Sequence, residues 1–226
     1  MKTTYYHHSG FAVETETKVL LFDYYTEHGT HAYFDPTAYG DKDVVCFVSH
    51  VHSDHFDRVI TDWKNVSYVV SSDVKLGQHC TGESIAVVAG ASYDFHDMHI
   101  ETLQSNDEGV AFLVEVDGKT IYHSGDLNWW HWNGEPDDFN DDIARSFTTE
   151  TNKLIGKEID IAFVPVDPRL EDKFDWAVDY FMKQVGAKHV FPMHLWNKMD
   201  VCNRLKDKAY GEQVAIITHP NQEFEL

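Results

Sequence analysis

The chain has 226 residues, 42% of them hydrophobic and 25% charged, so one domain can bury a core without disulfides. Eighteen Lys and Arg stand against 38 Asp and Glu, a formal charge of −20. That balance excludes the basic surface large nucleic acids require, though a small phosphorylated ligand stays open wherever a metal supplies local positive charge.

The chain opens on Met1–His8 with one lysine and no apolar segment, so no secretory signal is expected. Strand-like runs follow at Ser9–Thr15, Lys18–Tyr24, Asp43–Ser49, Val66–Ser71 and Ile85–Ala89. Asp54–Trp63 reads as a helix. Asp117-Gly118 joins Gly109–Val116 to Lys119–His123 as a hairpin, because that pair adopts the tight turn antiparallel strands need. Between Pro136 and Glu158 the residues Phe139, Ile143, Phe147, Leu154 and Ile155 share one helical face. A second helix runs from Phe174 to Val185 and stops at Gly186. Ile159–Pro165 and Lys188–Pro192 are short buried strands beside these helices. Strands first and strand–helix alternation later predict a layered sandwich, sheet packed on sheet with helices outside. No repeat or Gly/Ser/Pro linker divides the sequence, so residues 1–226 form one domain, and no apolar run approaches the ~18 residues of a membrane span. Cys46, Cys80 and Cys202 lack disulfide or zinc-knuckle spacing and fit a reducing cytoplasm.

The chemistry concentrates after the Val44–Val48 run. His50, His52, Asp54 and His55 put three imidazoles and a carboxylate within six residues, crowded at a strand end. Neutral imidazole and carboxylate are ligands for first-row divalent metals, and a solvated loop seldom carries four of them at this spacing. Two later strands end similarly, one running through His123-Ser124-Gly125 into Asp126 and the other through Met193 into His194.

These residues resemble the metallo-β-lactamase superfamily, and within it the short hydrolases related to the ascorbate-phosphate lactonases. The H-x-H-x-D-H signature is His50, His52, Asp54 and His55; Gly125-Asp126 and Phe191-Pro192-Met193-His194 supply the later motifs, and His8-Ser9-Gly10-Phe11 the opening hairpin. The resemblance implies an α+β fold, a four-layer αββα sandwich, with two divalent ions, zinc first and manganese or iron as alternatives. It places His50, His52 and one further ligand on the first ion, Asp54, His55 and His194 on the second, and Asp126 as a bridge. Asp23 would buttress the metal loop. The family's usual third histidine is missing from Ser105–Glu108, and Asp107 is the expected oxygen substitute, with a one-metal site as the alternative. The superfamily's diiron redox branch carries Glu where His52 stands here, and an appended flavin domain.

Around this set, His8 is assigned to a place behind the ligands or to substrate contact, Trp129, Trp130 and Trp132 to a pocket wall, and His123 to structure. His79, His96, His99, His189 and His219 have no convergent partners and are read as ordinary. The implied activity is hydrolysis by a metal-activated water, with Asp54 and Asp126 ligating and accepting hydrogen bonds, on a small lactone, ester or amide. A small phosphodiester is the second substrate class, and a non-catalytic metal- or ligand-binding protein the competing reading.

Overall fold

The computed structural model describes residues 1–27 and 33–226. The first sheet contains β1 (Lys2–His7), β2 (Gly10–Glu14), β3 (Lys18–Phe22), β4 (Asp43–Val48), β5 (Val66–Ser71) and β6 (Ser84–Val87). The second contains β7 (Ser92–Phe95), β8 (Met98–Gln104), β9 (Val110–Val116), β10 (Lys119–His123), β11 (Ile161–Pro165) and β12 (His189–Met193). The last strand, β13 (Gln222–Glu225), returns to pair with β1. The orders are β13-β1-β2-β3-β4-β5-β6 and β12-β11-β10-β9-β8-β7.

β3 through β6 are parallel, and so are β10 through β12. Parallel strands are covered on both faces and read as unbroken apolar runs, as Val44–Val48 does. One face of the first sheet (Phe11, Leu20, Phe22, Val45, Phe47, Val69) packs with Phe112, Val114, Ile121 and Phe163 of the second. The alternate residues Val19, Leu21, Val44, Cys46 and Val48 point outward into a second core with Tyr24, Phe34, Phe56 and Ile60.

On the outer side of the second sheet lie α1 (Asp137–Thr151) and α2 (Trp176–Gln184), Phe181 of α2 stacking on Tyr122 with ring centroids 5.3 Å apart. The fold is thus the expected α+β sandwich. The helix expected over Asp54–Trp63 is only the 3₁₀ turn Arg58–Asp62, capped by the Asp57 side chain. The His55 and Phe56 N–H groups both donate to the His52 carbonyl, and the Asp57 N–H donates to Tyr24 O, so that chain follows the sheet edge rather than coiling. The helix expected from Pro136 to Glu158 is α-helical over Asp137–Thr151 and closes in the 3₁₀ turn Asn152–Leu154, ahead of Gly156, whose φ is +89°. Strands β1, β7, β8 and β13 went unread. β1 is the instructive one, since Thr3 and Thr4 are buried there although the composition is polar.

Candidate metal centre

Six segments deliver side chains to one edge of the sandwich: the β1–β2 turn, the ends of β3 and β4, and the ends of β10, β11 and β12. The β4 end carries Ser49-His50-Val51-His52-Ser53-Asp54-His55 and is wedged against two glycines. A Cβ on Gly109 (φ +66°) would sit 1.9 Å from Ser49 O, and one on Gly125 (φ +52°) 2.7 Å from Val110 O and 2.8 Å from Ser49 Cβ. Only glycine admits the ligand loop that close to the second sheet.

Two donor sets result. His50, His52 and Asp126 form one; His8, Asp54, His55 and His194 form the other, and within each set the donor atoms lie within 4.8 Å of one another. Asp126 faces both. Its Oδ2 is 3.7 Å from His50 Nε2, while its Oδ1 is 3.2 Å from His55 Nε2 and 3.5 Å from His194 Nε2. His50 Nε2 and His52 Nδ1 are 3.1 Å apart, and His8 Nε2 and Asp54 Oδ2 3.3 Å. Donors ~2.1 Å from a shared tetrahedral ion are separated by about 3.4 Å, so these spacings suit such ions.

In His55, His194 and His50 the other ring nitrogen is held from behind. His55 Nδ1 is 2.7 Å from Asp23 Oδ2, and His194 Nδ1 is 2.8 Å from Asp167 Oδ2. Asp23 also accepts from the Ser49 N–H at 2.7 Å and the Ser49 hydroxyl at 2.6 Å; the hydroxyl lone pair then accepts from His50 Nδ1–H at 2.9 Å. These contacts fix the tautomers of the three rings and turn their Nε2 atoms into the site. There, His55 Nε2, His194 Nε2 and Asp126 Oδ1 are buried and make no hydrogen bond among the described residues. Leaving such atoms unsatisfied costs about 1–3 kcal/mol each, and divalent cations would satisfy all three. By this measure the residues fit a metal centre.

The electrostatics agree. Burial lowers the pKa of His8 to about 3 and that of His50 to about 4, keeping both rings in the neutral form that ligates. Burial opposes charge on His55 too, but the Asp126 and Asp23 carboxylates outweigh it and raise that pKa well above the ordinary range. Groups that draw a proton so strongly would draw a metal ion. Burial alone would raise Asp126, yet His55 and His194 hold it well below the usual carboxylate range. His8, Asp23 and His194 all have positive φ (54°, 43° and 64°), backbone strain concentrated at the site.

Beside the donors lies a cavity of about 350 Å³ lined by His52, Asp54, Asp107, Asp126, Trp130, Trp132, Arg169, His194 and Trp196, among others. Trp130 donates its indole N–H to the Asp126 carbonyl at 3.0 Å and stands edge-on to His194. Asp107 shares this cavity but lies outside both donor sets. Its pKa is raised by burial and by Asp126.

Two assignments need correction. Trp129 is no pocket wall: it packs into the core against Trp176, Tyr180 and Phe147, while Trp130 and Trp132 line the cavity. His8 is 1% exposed and absent from the cavity lining, so it is placed to ligate rather than to touch substrate. The His194 N–H donates to His8 O at 3.1 Å, which ties the β1–β2 turn to the ligand strand. His123 is buried, stacked on Phe22 and 3.0 Å from Ser9 O through Nε2. Asp167 was missed. It follows strand β11 as Asp126 follows β10, a signal that applying one rule to every strand end would have caught.

The sequence profile of the beta-lactamase superfamily domain matches residues 2–131. A protein of Alkaliphilus metalliredigens named a UPF0173 metal-dependent hydrolase is 27% identical, over 95% of this chain and 93% of its own. Among solved structures, a metallo hydrolase from Ignicoccus hospitalis superposes with a TM-score of 0.68 at 17% identity, covering 100% of this chain and 98% of its own. The metallo-β-lactamase fold protein YhfI of Bacillus subtilis gives 0.66 at 14% identity, covering 99% of each chain.

Proposed function

The chain belongs to the metallo-β-lactamase superfamily, and on that premise we propose that it is a metal-dependent hydrolase working through two divalent ions on a small lactone, ester or amide. The observation that carries the reading is Asp126, whose two oxygens face two histidine sets while buried imidazole nitrogens around it lack partners. Ions held there would supply Lewis acidity and a water with its pKa lowered from ~16 toward ~7. His50 and His52 would hold the first, His8, Asp54, His55 and His194 the second, with Asp126 between them. Imidazole outnumbers carboxylate in these sets, which favours zinc or iron over manganese. Asp107, exposed and without a side-chain hydrogen bond among the described residues, would give an oxygen to the first ion on its open side.

The chain's own groups then orient the reaction. Asp23 and Asp167 keep the rings in register. Asp54 borders both the donors and the cavity, where it can accept a hydrogen bond from an attacking water. Trp130 and Trp132 form an apolar wall, their rings parallel within 2° and 6.0 Å apart, which suits a small, flat substrate over a long polyanion. Three free cysteines, two of them buried, and the absence among the described residues of any helix long and apolar enough to cross a membrane agree with cytoplasmic placement.

Metal content per chain, measured together with hydrolysis of ester, lactone, amide and phosphodiester panels, tests the reading. The expected result is about two ions per chain and turnover lost in His50→Ala and Asp126→Ala. Turnover that persists in both variants would overturn it.

A further inference from the structure

We propose that this cavity takes substrates carrying a carboxylate, which Arg169 binds through the free edge of its guanidinium while Trp130, Trp132 and Trp196 flank the rest of the molecule. The proposal deepens the hydrolase reading and rests on it for the identity of the cavity.

Among the described residues Arg169 is the one Lys or Arg lining the cavity, in a chain of formal charge −20. It is held on two sides. The Asp167 carboxylate takes one edge of the guanidinium, with Nε 3.1 and 2.9 Å from its two oxygens and Nη2 2.5 Å from Oδ2. The indoles supply the rest: the guanidinium carbon lies 4.6 Å from the Trp196 ring centroid, 5.6 Å from Trp132 and 6.0 Å from Trp130. Stacking and pairing together fix the plane of the group, so little freedom is lost when it binds.

A guanidinium has two edges that present parallel N–H groups to a planar acceptor. The Nε/Nη2 edge is filled by Asp167. The Nη1/Nη2 edge is free, since Nη1 makes no hydrogen bond among the described residues. One free edge, with its two parallel N–H groups, matches one carboxylate. Asp54, Asp107 and Asp126 repel anions from the metal-free cavity, but two divalent ions would outweigh those three carboxylates. The loaded cavity therefore attracts what the empty one repels. Anchoring at Arg169 would also set the substrate beside Trp130, which packs on His194.

The test compares para-acetoxybenzoate with its neutral methyl ester on the metal-loaded protein. A second readout is tryptophan fluorescence titrated with para-ethylbenzoate and with para-ethylbenzyl alcohol, neither of which can be hydrolysed. The acid should be preferred at least about tenfold in kcat/KM and in Kd, the worth of one charge-assisted hydrogen bond. In Arg169→Met the preference should collapse toward unity, mainly through KM, and Arg169→Lys should restore part of it, with metal content checked in each variant. Equal handling of acid and neutral partner by the wild-type protein would overturn the proposal even if neither variant folds. A preference that survives Arg169→Met would place the carboxylate on the ions and also overturn it. Arg169-dependent binding without turnover of any ester would support the carboxylate site and count against the hydrolase reading; turnover with no preference would do the reverse.

Discussion

The two donor sets share Asp126 but differ in how they are built. His8, Asp54, His55 and His194 are mostly buried, and their two strand-end histidines lean on carboxylates, Asp23 and Asp167, that are themselves fully buried. The His50, His52 and Asp126 set has three members, one of them exposed, and reaches Asp23 only through the Ser49 hydroxyl. The first arrangement is pre-organised, and an ion entering it orders little. The second must order His52 when it binds. The buried set should therefore hold its ion more tightly, while the exposed one leaves coordination space for water and substrate, the division expected between a closed site and an open one.

Breaking the shared member gives the largest effect. Asp126→Ala removes the oxygens facing both sets, and kcat/KM should fall at least about 10³-fold, since several kcal/mol of Lewis-acid stabilisation leave with the ions. Elemental analysis should find well under one ion per chain. One ion retained at full occupancy would mean that Asp126 does not serve both sets. Next in size is the bracing. Asp167→Asn should weaken metal binding by about 10- to 100-fold, the usual penalty for losing the partner behind a ligating histidine. The loss should fall on the tighter phase of a competitive chelator titration alone. Asp23→Asn should weaken both phases, because Asp23 braces His55 directly and His50 through Ser49. Identical titrations for the two variants would erase the distinction between the sets.

The same asymmetry governs what could be read from the residues. His50, His52, Asp54 and His55 are neighbours in sequence, so local crowding exposed them, and Asp126 and His194 followed from strand ends. Asp167 follows strand β11 in the same way, but Pro168-Arg169 makes Val166-Asp167-Pro168-Arg169 look like a turn, and Asp167 does cap the next 3₁₀ turn. Its bond to His194 joins two strand ends whose parallel pairing no local pattern announces. His8 was legible as a site residue and not as a ligand, since its place depends on a left-handed turn and a backbone bond from His194. The sheets were legible where β-branched runs form parallel strands. They were illegible in β1, where burial of Thr3 and Thr4 comes from neighbours on both sides rather than from composition.

Acid should sharpen the contrast in the metal-free protein. Burial lowers His8 to about 3 and His50 to about 4, below the ~6.5 of an unfolded histidine. Between those values the unfolded chain binds more protons than the folded one, so stability falls as pH drops from about 6.5 toward 4. His55 has the opposite sign: its raised pKa gives stability already complete below about 6.5 and lost only as pH climbs through its folded value. The urea midpoint of chelator-treated protein should accordingly drop between pH 6.5 and 4.5. Substituting His8 by Gln should flatten the drop, and an unchanged slope would show that His8 is not buried neutral.

The smallest expected effect belongs to Asp107. It lines the cavity with His52 and Asp126 yet stands outside both donor sets, and burial and Asp126 raise its pKa by more than His52 and His55 lower it. An ion in the exposed set would offset its charge, so carboxylate and ion should stabilise each other across that open side. Asp107→Ala should then weaken the looser chelator phase by about tenfold, roughly 1.4 kcal/mol, and leave the tighter phase where it was. A carboxylate that only lined the cavity would leave both phases in place when removed. That result would make the exposed set a three-ligand site completed by water, and would widen the difference in build between the two sets.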